Sequence, residues 1–166
     1  MIRPAEVSDA SSIAKVIVDA WQCAYSGIID PAYPAGLSKE KYDAIFQRLI
    51  KERTEWVFVY EVEKLVVGFI SGKEYQGSYD SEVKGLYVLP SYQGKGIGHS
   101  LLCYAKEYLK SAGCSNFILW TLCGAQNNVF YEANGGVVQE RKKLMIGTEE
   151  YPGIGYCFYL ESRKET

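Results

Sequence analysis

Apolar residues recur at Ile13, Val16, Ile17, Ala20, Trp21 and Ala24, the spacing that lines one face of an α-helix. Ser8 or Asp9 stands where its cap is expected, and the short apolar stretch 2–5 before it predicts a first strand. Tyr42, Ile45, Phe46, Leu49 and Ile50 predict the buried stripe of a second helix, capped by Ser38. Between these helices, residues 26–37 hold Gly27, Pro31, Pro34 and Gly36 and read as irregular loop. The pattern then turns strand-like: 56–62 and 65–71 predict a hairpin turning at Glu63-Lys64, followed by a polar loop over 72–80. A further β-rich run, Val83, Leu86, Tyr87 and Val88, stops at Pro90. Ile97, Leu101, Ala105, Tyr108, Leu109 and Ala112 begin a third amphipathic helix, which should end at Gly113. Residues 116–121, apolar on both faces, predict a central strand. A short helix over 125–133 and strands at 137–138, 144–146 and 155–160 follow, with a turn at Tyr151-Pro152-Gly153 between the last two. The order predicts one α/β domain over residues 1–166 with a mixed sheet.

Composition narrows the partners. The chain has 166 residues, 48% hydrophobic and 23% charged, with a net charge of -2. Its Lys and Arg are scattered, which argues against general binding of nucleic acid or anionic membrane. No apolar run reaches the roughly 20 residues that span a bilayer, and the first residues lack a signal-peptide core. Cysteines at 23, 103, 114, 123 and 157 are odd in number and widely spaced, and there is one histidine. Neither a disulfide framework nor a metal site is indicated, and a cytoplasmic protein with reduced thiols is expected. Cys123 reads as a small buried hydrophobe rather than a nucleophile.

The chemistry concentrates between residues 82 and 102. A strand, a loop Gln93-Gly94-Lys95-Gly96-Ile97-Gly98 and a helix follow in direct succession. That order aims free backbone N–H groups and a helix's positive end at one point, which suits a phosphate. The P-loop pattern is absent, and His99 stands where the dinucleotide fingerprint needs its third glycine. What remains is [Q/R]-x-x-G-x-G, matched by Gln93, Gly96 and Gly98. Gly96 and Gly98 let the backbone approach a pyrophosphate and adopt a positive φ, Lys95 adds charge, and Gln93 can donate a hydrogen bond. His99 falls in the helix's first turn, either near the anion or in solvent.

With the opening Ile2-Arg3-x-Ala5 and an acidic residue before the first helix, and with a later Phe130-Tyr131-Glu132-x-x-Gly135-Gly136, the chain resembles the GNAT superfamily of acetyl-CoA-dependent N-acetyltransferases over nearly its full length. The resemblance implies an α/β (α+β) fold: a mixed, mostly antiparallel sheet of roughly six to seven strands with about four helices, splayed between the fourth and fifth strands. It implies acetyl-CoA as co-substrate and no metal. The backbone at Leu86, Tyr87 and Val88 would pair with pantetheine, residues 93–99 (with Gly94 and Ile97 in the loop and helix start) would hold the diphosphate, and the Val88 N–H would meet the oxyanion. Tyr131 would be the acid for the leaving thiolate, and Glu82 the candidate base for the amine. Relatives carry an asparagine where this chain has Gly124; Asn127 and Asn128 stand nearby, and Asn127 is the candidate cofactor contact. The acceptor is expected to be a small-molecule or peptide amine near Trp21, Tyr25, Tyr33 and Tyr42, with Asp30 and Glu40 close in sequence. Direct transfer to a small molecule is the first reading. Acetylation of a protein N-terminus or lysine, or a non-catalytic acyl-CoA sensor, are the alternatives. Relatives are often homodimers, and Tyr156, Phe158 and Leu160 suit either an interface or the core.

Overall fold

The first helix forms where its spacing places it, but it starts differently. In the computed structural model, α1 (Ala10–Ala24) buries Ile13, Val16, Ile17 and Ala20. Asp9 holds the cap position without capping through its side chain. Its carboxylate instead accepts the Glu6 N–H at 2.7 Å and a two-pronged Arg3 guanidinium at 2.8 and 3.0 Å. This closes a 3₁₀ turn, Val7–Asp9, and ties β1 (Ile2–Pro4) to the helix start. The structure describes residues 1–75 and 77–161; Gln76, inside the expected 72–80 loop, and residues 162–166 lie outside the described residues.

Residues 26–37 are not wholly irregular: a single turn, α2 (Ala32–Ala35), forms there. Pro31 stands at its N-cap position, Asp30 Oδ1 accepts the Ala32 N–H at 2.9 Å, and Pro34 sits in the first turn, where a missing N–H leaves no helix bond unmade. α3 (Lys39–Glu52) is capped as expected, Ser38 Oγ accepting the Lys41 N–H at 3.2 Å. Its stripe is narrower than expected. Phe46 is buried against Phe69, whereas Ile45 is exposed.

β2 (Trp56–Val62) and β3 (Leu65–Glu74) form the hairpin, with Glu63 and Lys64 both at positive φ in the turn. β4 (Ser81–Val88) follows, then α4 (Ile97–Ser111), which ends before Gly113 at φ +87. β5 (Asn116–Leu122) is central, and α5 is confined to Asn128–Ala133, shorter than the expected 125–133. A long hairpin follows, β6 (Val137–Ile146) and β7 (Glu149–Tyr159). The expected turn at Tyr151-Pro152-Gly153 is therefore strand, and the reversal falls at Gly147-Thr148. Pro152 is tolerated because it lies past the end of β5, whose last paired residue, Leu122, faces Gly153.

The seven strands make one sheet, ordered β1-β2-β3-β4-β5-β7-β6. Every pair is antiparallel except β4 with β5. That pair holds only over Ser81–Val83 against Phe117–Leu119, and beyond it the two strands part. Phe69 and Tyr87 face α1 and α3 on one side, meeting Trp21 and Phe46, while Phe58 meets Tyr104 and Tyr108 of α4 on the other. No described helix is long and apolar enough to cross a membrane.

Asp9 is nearly buried, and Arg3 holds its carboxyl below the ordinary value of 3.8. The pair's contribution is complete above that unfolded value and is lost as pH falls through the lower folded one. Asp9→Asn is expected to cost about 1–3 kcal/mol in urea unfolding at pH 7, with the difference from wild type shrinking below pH 3.8.

Candidate active site at the sheet opening

Where β4 leaves β5, its free edge becomes the wall of a cavity. Leu89 N–H donates to Val67 O at 2.8 Å, so strand alternation turns the main-chain groups of Val88 and Leu86 away from β3 and into the opening. The cavity measures about 670 Å³ and opens to solvent. Leu86, Tyr87 and Val88 form one wall, the loop and first turn of α4 a second, and α5 a third.

The loop has the anion-binding form that its glycines suggest. Gly94 and Gly96 have φ of +74 and +81, and a Cβ at either would meet nothing within 4 Å. Their bareness thus serves backbone conformation and exposure to a ligand. Gly98 differs: it lies inside the helix at negative φ, where an added Cβ would come 3.5 Å from the Phe130 ring. From Gly94 through His99, no N–H donates to any acceptor among the described residues; Ser100 is the first to do so, to Gly96 O at 3.0 Å. Six successive unpaired donors at a helix N-terminus are an arrangement that suits an anion.

Two side chains of the loop act differently from expectation. Gln93 Nε2 donates to Val88 O at 3.0 Å, bracing the loop on the strand and using one of the amide hydrogens expected for the anion. That bond also satisfies the Val88 carbonyl and leaves its N–H free. Lys95 lies outside the cavity lining, with its ammonium 5.1 Å from the Tyr92 ring centre. Ile97 and His99 both line the cavity, His99 with its ring against Asn134.

Tyr131 is 6% exposed and lines the same cavity. Burial, then the nearby Tyr25 hydroxyl, pushes its ionisation well above the ordinary value of 10.0, with Asn127 pulling weakly the other way. Tyr87 is raised likewise by burial and by Tyr25 and Tyr131. A cluster of neutral, proton-bearing phenols thus faces the opening. Asn127 lines the cavity and accepts from Thr121 Oγ1 at 3.3 Å; Asn128 instead ties α5 to β5 through Leu122 O at 3.0 Å.

Glu82 is not brought to this group. It sits in the parallel-paired end of β4, outside the lining, facing Lys84 at 3.8 Å. The sequence reading missed Phe130, Asn134 and Gln126, which line the cavity beside Tyr131. Asn134 lies at i+3 from Tyr131, so helical spacing around that tyrosine would have found it, whereas Gln126 at i−5 and Phe130 at i−1 carry no such signal.

The splayed sheet and its amide-rich loop define the class of an acyl-coenzyme A-dependent transferase. The sequence pattern of the Acetyltransferase (GNAT) family matches residues 21–135. The chain is 35% identical over 137 residues to the uncharacterized N-acetyltransferase YuaI of Bacillus subtilis, covering 80% of this chain and 77% of that one. It is 26% identical over 147 residues to the spermidine N(1)-acetyltransferase of Thermoplasma acidophilum, covering 84% and 89%. The solved PaiA N-acetyltransferase of Thermoplasma acidophilum, in complex with coenzyme A, shares the fold at a TM-score of 0.80 and 22% identity, over 96% of this chain and 98% of that one. The chain belongs to the GNAT family, and it is an acetyl-CoA-dependent N-acetyltransferase.

Gly136 holds Tyr131 in place through close packing. A Cβ there would lie 2.8 Å from Tyr131 O and 2.9 Å from the Phe158 ring. The same approach lets the Gly136 N–H bond Tyr131 O at 2.9 Å. Gly136→Ala is expected to destabilise the fold by about 1–3 kcal/mol, read from thermal or urea unfolding.

Proposed function

We propose that the protein transfers an acetyl group from acetyl-CoA directly to a primary amine of a small molecule, in a ternary complex. The observation that carries this reading is the convergence on one cavity of the unpaired amides of residues 94 and 96–99, the free Val88 N–H and the proton-bearing Tyr131. The amides would hold the diphosphate, and Val88 N–H would stabilise the oxygen that gains charge as the thioester carbonyl is attacked. Tyr131 would give its proton to the departing thiolate. A phenol keeps that proton at neutral pH, and burial raises its ionisation further, whereas a solvent-exposed carboxyl would already have lost its own.

The amine, with a pKa of about 10.4, must be deprotonated before attack. Glu82 stands outside the cavity, so its part in this step runs through water, and water in the open cavity can also take the proton.

The segment from α1 to α3 supports a small acceptor over an extended peptide. Tyr25 and Ile29 pack with Leu122 and Ala125, and Leu144, Ile146 and Tyr151 of the last hairpin close over them. Tyr151 OH bridges this contact, accepting the Asp30 N–H at 3.1 Å and donating to Glu149 at 2.9 Å. The closure brings the last hairpin over that side, which suits a small acceptor. The resemblance to a spermidine acetyltransferase agrees with an amine of that kind.

With acetyl-CoA and a panel of polyamines and amino acid amines, thiol release should be measurable. Tyr131→Phe is expected to lower kcat by about 10²–10⁴-fold with coenzyme A affinity retained, and Glu82→Gln by less than about ten-fold. Turnover should rise with pH as the amine deprotonates and show no decline from Tyr131 below pH 10.0, since its folded value is raised above that. Coenzyme binding without turnover in wild type would contradict the assignment. Gly96→Ala forces a side chain into left-handed backbone at a cost of about 1–2 kcal/mol, and calorimetry should show weakened coenzyme A binding.

A further inference from the structure

One helical turn beyond the glycine loop, α4 carries a second chemical constellation. Cys103 lies four residues after His99, and its Sγ is 3.5 Å from His99 Nε2. The other ring nitrogen, Nδ1, meets Asn134 Oδ1. The Asn134 amide is oriented independently of the ring, because its Nδ2 donates to Phe130 O at 2.8 Å. Its oxygen therefore faces the imidazole, and an oxygen acceptor there requires the proton on Nδ1. The neutral ring then presents the bare lone pair of Nε2 to the thiol.

A cation completes the group. Lys106 donates to Asn134 O at 2.7 Å and stands three residues after Cys103, on the same face of α4. His99 and Asn134 line the cofactor cavity, while Cys103 stands just outside it and is partly exposed. The thiol is thus reachable and has a base, an orienting amide and a nearby positive charge, the surroundings that make a cysteine nucleophilic. Cys23 is more exposed and lines the cavity from α1, but makes no such contact among the described residues.

We propose that Cys103, with His99 as base and Asn134 orienting the ring, is a thiol-modification site that takes small disulfides at the rim of the cavity. The thiol proton passes to His99 Nε2, and the thiolate attacks one sulfur of the incoming disulfide. A Cys103–S–S bond forms as the original S–S bond breaks, and the departing thiolate takes the proton from His99. The small disulfide is the oxidant, and its second half leaves as the reduced thiol.

The test treats the reduced full-length protein with oxidised glutathione at neutral pH and follows adducts by peptide mass spectrometry, with no acetyl-CoA present. Cys103 should be modified about ten-fold faster than Cys23 despite its lower exposure. His99→Gln should remove that advantage while circular dichroism shows an unchanged fold, and Cys103→Ser should abolish only the fast adduct. Modification of Cys103 no faster than of Cys23, or a rate unaffected by His99→Gln, would overturn the proposal. Because the readout is disulfide formation alone, its outcome is separate from that of the acetyl-transfer assays.

Discussion

The parting of β4 from β5 after the Val83–Leu119 pair is the constraint from which the remaining features follow. A strand inside a sheet normally satisfies its N–H and C=O groups on both sides, and leaving them unpaired in a dry interior is costly. Here the unpaired groups of Leu86 and Val88 open onto a wet cavity, which lifts that cost. The same edge is then available to a ligand that brings its own amides, as an added strand does. Gln93 caps the last exposed carbonyl and fixes where the loop begins. The amides of residues 94–99 are consequently delivered to the mouth of the same opening.

Burial and access pull in opposite directions at Tyr131, and the fold accommodates both. Packing against Phe130 and Tyr156 removes the ring from solvent and raises the ionisation of its hydroxyl further. A fully enclosed phenol could reach nothing, yet this one borders the cavity because α5 is only six residues long and ends at Asn134. Asn134 serves that end twice, closing the helix on Phe130 O and orienting His99. The end of α5 thus joins Tyr131, on α5 itself, to the proposed Cys103–His99 pair on α4.

Much of this was legible in the residues, for reasons that can be named. α1 and α4 each bury one face, so their 3.6-residue spacing is written in Ile13–Ala24 and Ile97–Ala112, and local chemistry marks the Ser38 cap and the Gly113 stop. The glycine loop and the Phe130-Tyr131-Glu132 run are short-range signals, and both mark elements that meet in the cavity. β6 was hidden because it is an edge strand exposed on both faces, so Gln139 to Lys143 show no apolar alternation. Pro152 read as a turn because its flank is set by where β5 ends, which is tertiary information. The placement of Glu82 depended on how far the parallel pairing of β4 extends before the splay, and no local pattern encodes that.

Amide NMR during a coenzyme A titration tests the central claim most directly, because it reads each main-chain N–H separately. The resonances of Gly94 through His99, together with Val88, are predicted to shift most strongly and in parallel, as charge-assisted hydrogen bonds form at each. Saturable coenzyme A binding that leaves those resonances in place while moving others would contradict it.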